Sequence, residues 1–286
     1  MELWYSICSL LPFEWTDYTF MQNALLAVIL IAPLFALPGC LVVNNQMSFF
    51  SDAIGHAALS GIAIGALAGI SQPLPSMIIF AVILACIISL LRKNGVVSTD
   101  TVIGLVMAGS VALGVVILSR QGGFNKYSKY LIGDLLSITG SDLLTMGITL
   151  VFVFGVWVLL FNRLFLISFN PTVARSRGIK VWYYELFFSV LVAVIVTLAV
   201  QWIGILVINS LLILPAAAAR NLSSNLRTYI VSSVMISFVS SVCGLFLSYY
   251  MATATGATIV LVALGIYGLS FLPAVFLSAK GVKTEA

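Results

Sequence analysis

Asp52 and His56 are the residues whose types and spacing point most directly to chemistry. His56 is the only histidine in the chain, and Asp52 stands four positions before it. Both lie in Ser51-Asp52-Ala53-Ile54-Gly55-His56-Ala57-Ala58-Leu59-Ser60-Gly61, which opens an apolar stretch. In a helix that spacing puts Asp52, His56 and Ser60 on one face, because residues four apart stack. A carboxylate oxygen beside an imidazole nitrogen suits manganese, ferrous iron or zinc better than magnesium or calcium, which prefer all-oxygen shells. One chain offers only these two good ligands. A symmetric pair of chains would offer four. Incompleteness fits a transported ion, which must be able to leave. Each residue also has a plainer reading. A carboxylate is favoured at a helix N-terminus, and a lone histidine is often a hydrogen-bonded core residue. Beside the polar row runs a small one, Ala53, Ala57, Gly61, Gly65 and Gly69. Such a row predicts a seam where another helix packs closely.

The elements that hold this pair are membrane spans. Hydrophobic residues form 62% of the 286-residue chain and charged residues 8%, against about 25% charged in ordinary soluble domains. That balance excludes a soluble enzyme and predicts an all-α, multi-pass protein of the cell membrane, embedded in the lipid bilayer as one transmembrane domain over 1–286. The apolar runs are continuous and about 18 to 23 residues long, which is helix length for a bilayer and too long for barrel strands. They fall near 20–43, 52–70, 74–91, 101–119, 142–162, 184–202, 204–219, 228–250 and 257–279. The sixth and seventh meet at Gln201 and Trp202, and the seventh is short and holds Asn209, Ser210 and Pro215. Eight or nine transmembrane helices are therefore expected. Asn209 and Ser210 read as hydrogen-bonding groups between helices. Asp100, Asp134, Asp142 and Glu185 read as charges at span ends.

Basic residues set the orientation. One set of connections holds ten of them, including Arg92, Lys93, Arg163, Arg175, Arg177 and Lys180; the other holds Arg120, Lys126 and Lys129. The positive-inside rule makes the first set cytoplasmic. The N-terminus, with Glu2, Glu14 and Asp17 and no basic residue, lacks the charge pattern of a cleaved signal peptide. Two connections are long. The external one contains an apolar segment, about 124–140, of the kind that forms a gate. The cytoplasmic one, about 163–183, predicts a short helix at about 170–180, capped by Asn170, opened by Pro171 and ended by Gly178. A helix of that kind is a docking element, and its basic residues also suit anionic lipid. Four scattered cysteines give no disulfide or zinc pattern. No ATP-binding loop, HExxH or GxSxG occurs, so no catalytic residue and no resident cofactor is expected. A net charge of +4 gives no ground for a nucleic-acid partner.

Residues 47–61 resemble the S-x-x-x-D-A-x-x-H-A-x-L-x-G signature of the permease subunits of zinc/manganese/iron ABC importers. Three further blocks agree in order: Asp100-Thr101-Val102-Ile103-Gly104 with Ala112-Leu113-Gly114, the stretch from Gly204 to Arg220, and Gly256-Ala257-Thr258-Ile259-Val260. The chain departs from the pattern at Pro38-Gly39-Cys40 and Asn44-Asn45. The resemblance implies a type II importer permease fold, not itself an enzyme. Its implied partners are a second permease copy (a homodimer), an ABC ATPase subunit and an extracytoplasmic metal-binding protein. It places metal contacts on Asp52 and His56 and puts the coupling helix on the segment containing Pro171, Ala174, Arg175 and Gly178. The cargo is manganese or zinc, with iron a further candidate. The competing reading is a proton-coupled secondary transporter using Asp52 and His56 as a relay. An intramembrane metalloenzyme would need a further ligand and a base that the chain does not offer.

Overall fold

The computed structural model describes residues 4, 5, 8, 18–70, 72–93, 97–121 and 134–272. Every described regular element is helical: α1 Thr19–Asn44, α2 Phe50–Leu67, α3 Pro73–Lys93, α4 Thr99–Gln121, α5 Gly140–Phe169, α6 Pro171–Ser176, α7 Val181–Leu222, α8 Leu226–Met251 and α9 Thr255–Leu269, with a 3-10 turn at Leu135–Ser137. Seven of these, all but α6 and α9, are long and apolar enough to cross a membrane. The nine apolar runs of the sequence each fall on a helix over most of their described residues, the second ending at Leu67 and the last described helix at Leu269. Most of the expected gate-like segment, 124–133, and the end of the last expected span, 273–279, lie outside the described residues.

Nine runs become seven long helices for two reasons: α7 joins the sixth and seventh runs, and α9 is described over only 15 residues. The 42 residues of α7 would extend about 63 Å as a straight helix, twice the hydrocarbon core of about 30 Å. It is broken at Gly204, with φ 76° and ψ 163°, a region that only glycine occupies readily. The break falls two residues beyond the join expected at Gln201 and Trp202. The residues at the expected join are helical, and it is the glycine after them that turns.

The residues form two compact units: Met1–Cys40, Asp134–Gly155 and Ser210–Ala286 in one, Leu41–Gly133 and Val156–Asn209 in the other. In the first, α8 is pinned to α1 by a ladder of side-chain donors. Tyr229 donates to the Cys40 carbonyl at 3.2 Å, Ser233 to Ala36 at 3.4 Å and Ser237 to Ala32 at 3.1 Å. The positions step by four in opposite directions, so the two helices run antiparallel. Lipid provides little hydrophobic force between helices, so such bonds and close small-residue contacts hold them. Gly244 is one such contact. A Cβ there would stand 2.5 Å from the Ile259 Cα, which lets α9 lie against α8.

In the second unit α2 packs against α3 and α4. A Cβ on Gly61 would stand 2.7 Å from the Met77 Cα, and Gly65 abuts Ser76 as closely. The small row is therefore a seam, as its spacing predicts, but it ends at Gly65. Gly69 lies past the helix end with φ 72°, where Ile70 N–H bonds to the Gly65 carbonyl at 2.9 Å and closes the turn. The acidic residues at helix starts act locally. Asp134 accepts from the Leu136 N–H at 3.0 Å, and Asp142 accepts from the Thr139 N–H at 3.0 Å.

Because Gly204 alone tolerates its dihedral angles, Gly204→Ala should cost about 1–3 kcal/mol. Thermal unfolding in detergent should show a clear drop in midpoint. Gly109→Ala, where nothing lies within 4 Å of the new methyl, should leave it unchanged.

Candidate functional site

Asp52 lies in the first turn of α2. Its Oδ1 is 3.5 Å from the Nε2 of His56. The same oxygen accepts a hydrogen bond from Asn209 Nδ2 at 2.5 Å. Asn209 belongs to the arm of α7 that follows the Gly204 break. The helix period of α2 puts Asp52 and His56 on one face, and the bond to Asn209 joins that face to a residue 157 positions away. A carboxylate only accepts, so the amide nitrogen must face it. The amide oxygen of Asn209 is buried and has no hydrogen-bond partner among the described residues. The three side chains form a small polar cluster in an otherwise apolar wall; a Cβ on Gly55, one residue before His56, would meet Ile205 at 3.1 Å.

The Asp52 and His56 side chains are 32% and 43% exposed. They open to the outside of this chain and are not sealed within it. Ser60, the third residue of the expected polar face, is fully buried. It donates to the Ser110 carbonyl, and Gly114 passes close to its side chain. Ser60 therefore fastens α2 to α4 and stands apart from the polar cluster. Among the described residues no group of three or more His, Cys, Asp and Glu is gathered, so two ligand-type residues per chain is what this part of the structure offers. The sequence reading expects Asn209 to hydrogen-bond between helices, and its bond to Asp52 is of that kind. Its signal was a polar amide in a short apolar run, and nothing local names its partner.

The second expected site is α6. Asn170 caps it, accepting from the Val173 N–H at 3.1 Å, and Pro171 occupies its first turn. Gly178 follows it with φ 75°, and Ile179 N–H returns to the Ala174 carbonyl at 3.1 Å. Ala174 is fully buried against Ile167 and Val181. Pro171, Arg175 and Gly178 are exposed. So Ala174 seats the helix and the other three present a surface. Beside it opens a cleft of about 210 Å³ lined by Asn44, Arg92, Ser168, Pro171 and Glu185 among others.

The profile of the ABC 3 transport family matches residues 17–274. The manganese import system permease protein ScaB of Streptococcus gordonii is 32% identical over 258 residues, covering 89% of this chain and 91% of that protein. The high-affinity zinc uptake system membrane protein ZnuB of Haemophilus influenzae is 30% identical over 248 residues, covering 86% of this chain and 95% of that one. A solved structure of PsaBC from Streptococcus pneumoniae in complex with Fab superposes with a TM-score of 0.80 at 27% identity, covering 98% of this chain and 100% of that one. With nearly its whole length matched and its long apolar helices in place, the chain belongs to the ABC 3 transport family and is a multi-pass membrane permease.

Proposed function

We propose that the whole chain, 1–286, works as the transmembrane permease domain of an ABC importer for divalent transition-metal ions. Asp52 and His56 form its half of the metal path. The observation that carries this is the shared oxygen: Asp52 Oδ1 is held by Asn209 and stands beside His56. That supports a held carboxylate whose second oxygen, with the imidazole, would be left to meet the ion. The half-exposed pair suits completion by a second permease copy, giving two carboxylates and two imidazoles around one path. A mixed oxygen and nitrogen shell of this kind fits manganese first and zinc close behind. The relatives carry manganese and zinc names. Energy would come from a separate ATPase subunit docked on Pro171, Arg175 and Gly178. The metal would arrive from an extracytoplasmic binding protein. The proton-coupled alternative is not favoured, since the family match is to ABC transport.

The reading is tested by uptake into proteoliposomes holding the chain, its ATPase and its binding protein. Asp52→Ala and His56→Ala should each lower ATP-dependent manganese or zinc uptake at least about tenfold, with ATPase binding retained. Uptake driven by a proton gradient without ATP would overturn it. Asn209→Leu should cost about 10–100-fold in metal affinity by releasing the carboxylate. Asn209→Gln, which can still donate, should lose less. Arg175→Glu should reverse the case: ATPase binding falls, seen by co-purification, while metal binding to the permease persists.

A further inference from the structure

A positive surface of the second unit is not explained by the metal path. A cleft of about 710 Å³ lies at the end of α5 and the start of α7, lined by Arg163, Arg177, Lys180, Tyr183 and Tyr184 among others, and bordered by Gly178 of the proposed ATPase surface. No carboxylate is among its described lining residues, and no salt bridge engages its three cations among the described residues. Two of the three cations, Arg163 and Lys180, are held by rings. The Arg163 guanidinium lies 5.6 Å from the Tyr184 ring centre and donates to its hydroxyl, and Lys180 Nζ lies 5.7 Å from the Tyr183 ring. A neighbouring cleft of about 490 Å³ shares Lys180 and Tyr183 and adds Arg92, Lys93 and Arg175 against the single acid Glu185. Ring contacts orient a cation while leaving its charge uncompensated, so this surface is short of anions.

What kind of anion follows from the next turn of each helix. Four residues before Arg163, on the same face of α5, Leu159 is 80% exposed. Four residues after Tyr183, on the same face of α7, Phe187 is 43% exposed. Val158, beside Leu159, is 60% exposed. Charged and aromatic groups at the helix ends thus stand directly above apolar side chains that are wholly or partly exposed. Headgroup-level cations over an acyl-level apolar wall are the two halves of one ligand. We infer that this cleft binds the phosphate of an anionic phospholipid, whose acyl chains run down the faces carrying Leu159 and Phe187. A docking protein would satisfy the charge but would have no use for the apolar wall beneath it. The inference rests on the membrane placement of the chain and stands apart from the metal reading.

The test uses the permease–ATPase complex in nanodiscs and compares spin-labelled phosphatidylglycerol with spin-labelled phosphatidylcholine. The anionic probe should be motionally restricted in preference to the zwitterionic one by about fivefold or more. The double variant Arg163→Gln/Lys180→Gln should abolish most of that preference, and Arg163→Lys/Lys180→Arg should keep it. Equal restriction of both probes by the wild type would overturn the inference, whether or not the variants fold. So would an undiminished preference in the folded double variant. Complete displacement by excess inorganic phosphate would mark a phosphate site without lipid recognition. A preference seen only when the ATPase is absent would mark the surface as the ATPase's own. Either result would overturn it too.

Discussion

A carboxylate inside a membrane helix needs donors, because lipid supplies none. Asp52 is the case on which this structure turns. Its position in the first turn of α2 gives it the favourable end of the helix dipole, but a dipole does not fix a side chain. The fixing is done by Asn209, whose amide reaches Oδ1 at 2.5 Å. Asn209 lies on the second arm of a 42-residue helix that bends only because position 204 is glycine. A glycine dihedral, an amide and a carboxylate thus form one chain of dependence. The packing around α2 serves the same end. Gly61 and Gly65 bring α3 close, and Ser60 fastens α4 through the Ser110 carbonyl, so the helix that carries Asp52 and His56 is held on its other faces.

The parts of this arrangement that repeat locally were legible in the sequence. A run of about twenty apolar residues has one stable form in a bilayer, so the helices could be placed. Asp52 and His56 are four apart, so their shared face followed from the helix period alone. Asn170, Pro171 and Gly178 announced a short capped helix, because capping, ring closure and positive φ are properties of single residues. The rest depended on contacts between distant segments. Ser60 has the same register as Asp52 and His56, yet a carbonyl on another helix claims it. Gly69 continues the small row in sequence, but the helix ends first. Asn209 lies 157 residues from Asp52, and no periodicity within either segment joins them. The break at Gly204 was missed by two positions for a related reason: polarity and bulk at Gln201 and Trp202 suggested a join, whereas backbone freedom at a glycine decides where a buried helix turns.

The polar groups of the described helices divide by the demand placed on them. Tyr229, Ser233 and Ser237 of α8 spend their donors on the carbonyls of α1. Asp134, Asp142 and Asn170 close helix or turn starts. Asp52, His56 and Asn209 are gathered in one place and satisfied only in part. One oxygen carries two neighbours, an amide oxygen has no partner among the described residues, and both ligand-type side chains remain partly open.

That partial satisfaction suits the proposed path better than a resting place for an ion. A structural metal site gathers four ligands and holds them rigidly, and its ion does not leave. A conducting site must bind well enough to admit an ion and weakly enough to release it. Two ligand-type residues from one chain, one of them shared with a neutral amide, sit on the weak side of that balance. A second copy would bring the total to four, and moving the copies relative to each other would return it to two. Affinity would then be set by the spacing of two chains, a quantity that a partner acting at Pro171, Arg175 and Gly178 can change without touching the ligands themselves.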